Sequence, residues 1–153
     1  EIIKGLIEHF PERKFLLVEG WVPSSIEGYT FEKYPNVCLI KNTLDMKSVY
    51  GYSRLVVCPS QWKENLPRVS FEAMMNHIPI ISSNKGGQAE LIKDNGILID
   101  NYSVLESWIT AINLFDEPST YQDAVTAAKL MSKEWQLSHQ VDKLEKVLKQ
   151  FKS

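Results

Sequence analysis

Short, continuously apolar runs alternate along this chain with longer segments of helical periodicity. The five runs are residues 15–18, 37–40, 55–58, 78–81 and 97–99. A strand in a one-sided antiparallel sheet alternates apolar and polar residues, whereas these runs are apolar at nearly every position. They predict parallel strands buried on both faces. With helices between them, they indicate right-handed βαβ units in an α/β fold, a Rossmann-like doubly wound parallel sheet of five or six strands.

The segments between and after the runs have helical periodicity. They predict helices over residues 2–10, 46–52, 69–76, 89–93, 102–115, 119–133 and 138–151. Residues 20–35 are rich in Gly, Pro and Ser and predict a loop with one short helix. In the last predicted helix, apolar residues recur at spacings of three and four, which predicts one apolar face. The simplest interpretation packs this helix on its own domain; contact with another domain or a second chain is the alternative.

The balance of charged residues limits the classes of binding partner that the chain is predicted to have. The 153 residues contain 17 Lys and Arg against 19 Asp and Glu, a formal net charge of −2. This balance provides no strong positive field, so no nucleic-acid partner is predicted. The chain opens on Glu1 and has a helical pattern from its first residues, so we expect a piece of a longer protein.

Cysteine and histidine are not spaced as metal ligands. Cys38 and Cys58 each lie within an apolar run, without CxxC spacing, and are predicted to be core residues. His9, His77 and His139 form no recognised ligand motif. No metal site is predicted.

The most informative stretch is residues 58–74, where a buried strand ends at Pro59 and a helix is predicted to begin near Pro67. Proline is favoured in the first turn of a helix because its missing N–H would have no partner there. The free N–H groups of that turn and the helix dipole favour an anion such as a phosphate, and Arg68 adds a full positive charge. Glu64 in the loop and Glu72 in the helix could bracket a ligand with an anionic middle and hydroxyls at both ends. By spacing alone, two ordinary surface charges are the simpler interpretation.

The residues that follow extend the pattern. Glu-Ala-Met at 72–74 is followed by a turn, Pro79 at the start of a strand, Gly86-Gly87, and then Glu90-Leu91. From residue 56 to about residue 100, this succession resembles the donor site of the group 1 retaining glycosyltransferases with the GT-B fold. In that family two glutamates flank seven residues, as Glu64 and Glu72 do here.

The resemblance implies a role for each matching position. Glu64, the catalytic candidate, would contact hydroxyls of the transferred sugar, and Glu72 the ribose of the nucleotide. Gly86 and Gly87 match the family's turn, where a side chain would crowd the site or strain φ, although a plain strand-to-helix turn is an equal alternative. Glu90 is interpreted as a helix-start charge. Main-chain groups that would meet the sugar and the diphosphate belong to Asn65, Leu66, Pro67, Arg68 and Val69.

Three departures from the family pattern affect these expectations. His77 stands where many relatives have glycine after the donor helix, so we expect Asn76 to make that turn instead. Pro67 removes one N–H from the phosphate cradle. The basic pair that neutralises the diphosphate in the family has no match, because Lys4 is predicted to lie in the middle of a helix.

The function implied by the resemblance is transfer of a sugar from a nucleotide-diphosphate donor with retention of configuration. Residues 1–153 would form one donor-binding domain, and an N-terminal domain outside them would hold the acceptor, a sugar, lipid or protein. No cofactor is implied: catalysis would be metal-independent, and the sequence has no Asp-x-Asp cluster. The resemblance also implies a cytoplasmic enzyme of polysaccharide biosynthesis, and it is compatible with peripheral membrane association of the full-length protein.

Two alternatives share the same motifs: a GT-B sugar-nucleotide epimerase, and a catalytically silent nucleotide-sugar-binding or scaffold relative. Other nucleotide-binding α/β classes are disfavoured because the sequence has neither GxGxxG nor GxxxxGK[ST].

Overall fold

A computed structural model describes residues 1–18, 31–40 and 43–151. The predicted mixture of strands and helices is confirmed, and most bounds agree within two residues. The strands of the described part are β1 Phe15–Val18, β2 Val37–Ile40, β3 Val56–Cys58, β4 Ile80–Ser83 and β5 Gly96–Ile99. Its helices are α1 Ile2–His9, α2 Met46–Gly51, α3 Arg68–Met75, α4 Gln88–Leu91, α5 Leu105–Leu114, α6 Pro118–Glu134 and α7 Leu137–Gln150, with a 3-10 turn over Phe31–Lys33. Most of the 20–35 loop prediction lies outside the described residues.

All observed strand pairs are parallel, as predicted. Phe15 pairs with Val37, Val56 with Ile80, and Ile80 with Gly96. The expectation of one continuous sheet is wrong: within the described residues the order is β1-β2 in one sheet and β3-β4-β5 in another.

The two sheets are separated by a cavity of about 380 Å³. Three consecutive residues of β1, Phe15, Leu16 and Leu17, line it together with Leu55 and Val57. Consecutive residues of a strand point to opposite faces, so their shared exposure to one cavity shows that it opens on the strand's edge. β1 and β3 are half-buried along their length, whereas β4 is buried throughout.

Helices cover both faces of β4, which makes the fold doubly wound. Ile81 packs in a core with Leu6 of α1 and Trp108 of α5. Its neighbour Ile80 points the other way, into a second core that includes Met74 of α3 and the α4 residue Leu91. Two such cores require apolar residues at consecutive positions, which Ile80 and Ile81 supply, whereas the second half of β4 is the buried pair Ser82 and Ser83.

Cys38 is an exception to the predicted core. It is exposed on β2, which pairs only with β1 in the described part of the chain. The side chains of a strand point to the faces of its sheet, and within the described residues the face of β2 that carries Cys38 is left uncovered. Cys58, on β3 in the larger sheet, is half-buried.

The turn after α3 also differs from the expectation. His77 has a φ of 60°, whereas Asn76 has a φ of −91° and is not left-handed. The Asn76 side chain instead donates a hydrogen bond of 2.8 Å to the Glu72 carbonyl. His77 Nε2 lies 3.1 Å from Ser132 Oγ of α6, and this contact accompanies a conformation that His adopts less readily than Asn.

The expectation that α7 packs on its own domain is wrong. The helix contains no buried residue. Leu137 is 80% exposed, Leu148 52% and Phe151 83%. The spacing correctly predicted an apolar face, but in this structure that face is turned to solvent.

Truncating one leucine in the buried core and one on α7 tests whether the two positions differ in packing. We expect Leu91→Ala, at a fully buried position, to lower the free energy of unfolding by about 2–5 kcal/mol. Leu148→Ala should change it by about 0.5 kcal/mol or less, because Leu148 is partly exposed and belongs to neither apolar core. Urea denaturation of both variants measures the two values. A loss above about 2 kcal/mol for Leu148→Ala would show that α7 packs in solution.

Candidate functional site

The candidate site lies where β3 ends and α3 begins. Ligands of open parallel sheets bind outside the carboxyl ends of the strands, and this loop leaves that edge of the larger sheet. Pro67 is buried in an extended conformation, with φ −70° and ψ 109°, and α3 starts at the next residue, Arg68. The predicted helix start near Pro67 is therefore confirmed.

The start of α3 is open to solvent and electropositive. The first N–H groups of a helix have no acceptor within the helix, and its dipole concentrates positive charge there. Arg68 has a side chain that is 86% exposed. Asn65 is exposed, and Leu66 and Val69 are 51% and 44% exposed. Of the predicted segment from 65 to 69, only Pro67 is turned inward.

Glu64 is half-buried and held in place rather than freely solvated. Its Oε1 accepts a hydrogen bond of 3.1 Å from Ser60 Oγ. Its main-chain carbonyl accepts one of 2.7 Å from the N–H of Gly87. The loop carrying this carboxylate is thus fixed from two sides.

Gly86 and Gly87 form a turn that lies directly against the Glu64 loop. Gly86 has a φ of 66°, and a Cβ there would stand 2.5 Å from the Glu64 carbonyl oxygen. A Cβ on Gly87 would overlap the carbonyl oxygen of Asn65. Both reasons for glycine that the sequence suggested, a left-handed φ and crowding, are present, and the crowding comes from the loop's main chain.

Glu72 accepts hydrogen bonds on both carboxylate oxygens. The Tyr50 hydroxyl donates to Oε2 at 2.9 Å, and Arg68 Nε donates to Oε1 at 3.0 Å. Tyr50 is only 6% exposed. Burial, followed by the hydrogen bond to Glu72, raises the pKa of Tyr50 well above its ordinary value. At physiological pH the phenol is protonated, as an ordinary tyrosine would be, and donates to Glu72.

A buried polar network connects α3 with the Gly86-Gly87 turn. Ser70 Oγ donates a hydrogen bond of 2.6 Å to Gln88 Oε1, and both residues are buried. Gln88 directly follows Gly87, so the chain contacts the Glu64 loop at Gly87, just before α4, and contacts α3 at Gln88, the first residue of α4. The network thereby holds the Glu64 loop and the helix of Glu72 in one fixed arrangement.

The end of β3 is tied to β4 in the same way. Ser82 Oγ donates to the Cys58 carbonyl at 3.0 Å, and Ser83 Oγ donates to the Ser60 carbonyl at 2.5 Å. Cys58 Sγ lies 3.9 Å from Gln88 Nε2, and burial raises the pKa of the Cys58 thiol. The sequence prediction that Cys58 has a structural role agrees with these contacts.

Sequence reasoning missed Tyr50, Ser70 and Gln88. Tyr50 stands near the end of a correctly predicted helix, and nothing in its local pattern distinguishes it from a core tyrosine. Gln88 gave a weak signal, since a polar residue directly after a crowded diglycine turn has little access to solvent.

Two further findings concern the described residues as a whole. No group of three or more His, Cys, Asp or Glu side chains is gathered there in a way that could hold a metal ion. None of the helices in residues 1–18, 31–40 and 43–151 is both long and apolar enough to cross a membrane.

Comparison with known sequences connects this site to one family. Residues 30–131 match the family described as "Glycosyl transferases group 1". Spore coat protein SA of Bacillus subtilis (strain 168) is 41% identical over 71 residues, covering 45% of this chain and 19% of that protein. Putative glycosyltransferase YtcC of the same organism is 38% identical over 71 residues, covering 45% and 17%. These matches span less than a fifth of either relative.

Solved structures share the fold. Anabaena Alr3699/HepE, crystallised with UDP, superposes with a TM-score of 0.78 at 20% identity, covering 97% of this chain and 44% of that one. A glycosyltransferase from Rickettsia africae ESF-5 gives a TM-score of 0.72 at 18% identity, covering 97% and 43%. The chain thus spans less than half of each solved protein.

The family match covers well over half of the 153 residues, and the parallel α/β fold is that of GT-B glycosyltransferases. This chain therefore belongs to the group 1 glycosyl transferases.

Proposed function

We propose that this chain is the donor-binding half of a retaining glycosyltransferase that uses a nucleotide-diphosphate sugar. The observation that carries the proposal is the joint placement of Glu64, the open start of α3 and Glu72, held together by the Gly86-Gly87 turn. Anabaena Alr3699/HepE, which shares the fold, has been crystallised with UDP and with UDP-glucose. These ligands belong to that protein and support a donor of the same chemical class here.

Each group in the site has a chemical task in this proposal. Glu72 accepts hydrogen bonds from ribose hydroxyls, and Glu64 accepts them from hydroxyls of the transferred sugar. The N–H groups at the start of α3, together with Arg68, receive the diphosphate between them. The order of these groups along the loop and helix matches the order of sugar, diphosphate and ribose in the donor.

The catalytic step breaks the anomeric C–O bond through an oxocarbenium-like state while negative charge collects on the diphosphate. Fixed donors aimed at that charge lower the barrier. Helix α3 and Arg68 supply positive charge at this place from the chain itself, so the proposed reaction uses no cofactor. The acceptor is held by a part of the protein outside these residues.

Arg68 must exchange partners when the donor binds. In the structure it pairs with Glu72, and its side chain is 86% exposed. An exposed ion pair of this kind contributes about 0–1 kcal/mol, so releasing it costs little. Arg68 can then turn from Glu72 to the diphosphate, which leaves Glu72 Oε1 open for a ribose hydroxyl.

A titration of this chain with UDP-, GDP- and ADP-sugars, followed by NMR, tests the proposal. We expect weak binding of one or more donors, about millimolar or −4 kcal/mol, because residues 1–153 have no match to the family's basic pair and span less than half of the solved proteins that share the fold. Shifts should map to residues 60–72 and 84–90. The chain alone should transfer no sugar, since positioning of the acceptor accounts for about 7–11 kcal/mol of such barriers.

Other outcomes would identify the alternatives. Release of free nucleotide without transfer by the full-length protein would favour an epimerase. Failure of that protein to bind any sugar nucleotide would favour a silent scaffold. Shifts that saturate elsewhere on the surface would contradict the proposed site.

A further inference from the structure

The two partners of the Glu72 carboxylate differ in how firmly they are held. Arg68, on Oε1, projects into solvent from the start of α3. Tyr50, on Oε2, is 6% exposed and comes from a different helix, α2. The first contact can be exchanged for a ligand, whereas the second is built into the fold.

We propose that Tyr50 is a positioning residue that holds the Glu72 carboxylate in the orientation that recognises ribose hydroxyls, and so helps the site to distinguish ribonucleotides from deoxyribonucleotides. This inference rests on the proposed function, in which Glu72 contacts the ribose.

Helix α2 is capped at both ends by side chains of its own segment, which defines the short helix that carries Tyr50. At its start, Asp45 accepts hydrogen bonds from the N–H and the hydroxyl of Ser48, at 3.2 and 2.6 Å. Just beyond its end, Ser53 Oγ donates to the Val49 carbonyl at 2.8 Å. Val49 and Tyr50 are both buried. The phenol therefore reaches Glu72 from a rigid support.

The number of hydrogen bonds that a carboxylate can accept shows what the Tyr50–Glu72 contact contributes to ligand binding. Two oxygens offer about four acceptor sites. Tyr50 occupies one site on Oε2, and release of Arg68 frees Oε1. The Glu72 side chain is 27% exposed, so hydroxyl groups of a ligand can reach its remaining acceptor sites. Because Tyr50 already limits the rotation of the carboxylate, less conformational freedom is lost when the ligand binds.

In the contact with Glu72, Tyr50 is the donor, because the phenol carries a proton and an ionised carboxylate can only accept. Glu72, as a carboxylate, in turn accepts from it and from hydroxyls. A ligand without the ribose hydroxyl leaves a carboxylate site without a partner, and this is the basis for discrimination.

The test compares the affinities of this chain for UDP, 2′-deoxy-UDP and 3′-deoxy-UDP in the parent and in Tyr50→Phe. We expect the parent to prefer UDP over at least one deoxy ligand by about tenfold, the loss of one hydrogen bond to a charged group. In Tyr50→Phe that preference should fall to about threefold or less, while affinity for pyrophosphate, which has no ribose, stays unchanged. Tyr52→Phe is the matched control, because Tyr52 is 83% exposed; its preference should equal that of the parent.

The possible results separate this inference from the proposed function. If the parent binds none of the uridine ligands and no other nucleotide, the proposed function fails. If the parent discriminates and Tyr50→Phe discriminates equally, Tyr50 is not a positioning residue, although the function stands. Equal weakening of UDP and pyrophosphate would indicate a merely structural role and would also overturn the inference.

A double-variant comparison tests whether Tyr50 acts through Glu72. Glu72→Gln should by itself reduce the preference for UDP. Adding Tyr50→Phe to Glu72→Gln should then change the preference by less than about twofold, because the two residues act through one contact. A further independent loss in the double variant would show that Tyr50 does not act through Glu72.

Discussion

Replacing either glutamate of the candidate site should reduce sugar transfer by the intact enzyme about 10- to 150-fold. Each carboxylate is proposed to accept a hydrogen bond from the donor, and a hydrogen bond to a charged group is worth about 1.5–3 kcal/mol. Glu64→Gln weakens the proposed contact with the transferred sugar. Glu72→Ala removes the proposed contact with the ribose. Initial rates at fixed donor and acceptor concentrations measure the effect.

These losses should occur without unfolding of the domain. Both glutamates lie at the sheet edge rather than in either apolar core. Glu90→Gln is the matched control, because Glu90 is exposed in the first turn of α4 and has no proposed ligand. We expect Glu90→Gln to keep the parent rate. Turnover within about twofold of the parent for both Glu64→Gln and Glu72→Ala would refute the role assignment.

Gly87→Ala should abolish donor binding and also lower stability. The added Cβ would overlap the Asn65 carbonyl oxygen, a main-chain atom that can move only if the loop moves. The same shift would stretch the 2.7 Å hydrogen bond from the Gly87 N–H to the Glu64 carbonyl. Inserting a methyl group into a packed contact costs about 1–3 kcal/mol, and here the displaced segment carries the catalytic candidate.

Gly51→Ala is the matched control for Gly87→Ala. Gly51 is also a glycine near a helix end, but a Cβ there would meet nothing within 4 Å. We expect Gly51→Ala to change the free energy of unfolding by about 0.5 kcal/mol or less and to leave binding intact. Chemical denaturation and NMR titration of the two variants measure both quantities. Parent-like binding by Gly87→Ala would mean that the diglycine turn does not support the site.

The sequence by itself determined the elements of this protein and where its ligand site would be sought. Burial on both faces demands apolar side chains at consecutive positions, so the five strands were visible as continuous apolar runs. The first part of the site was visible for a similar reason: Pro67 marks the start of a helix, and a helix start after a buried parallel strand lies at the ligand-binding edge. Glycine at 86 and 87 was readable because few other residues tolerate such a turn.

Only the tertiary structure decided which distant residues meet. Tyr50 contacts Glu72 from 22 positions away, and Gln88 contacts Ser70 from 18 positions away. Local periodicity carries no information about such contacts. It also could not show that β1 and β3 stand apart across a cavity, or that the apolar face of α7 is exposed. A local pattern states which surface an element must bury, whereas the partner that buries it is chosen by packing among segments far apart in the chain.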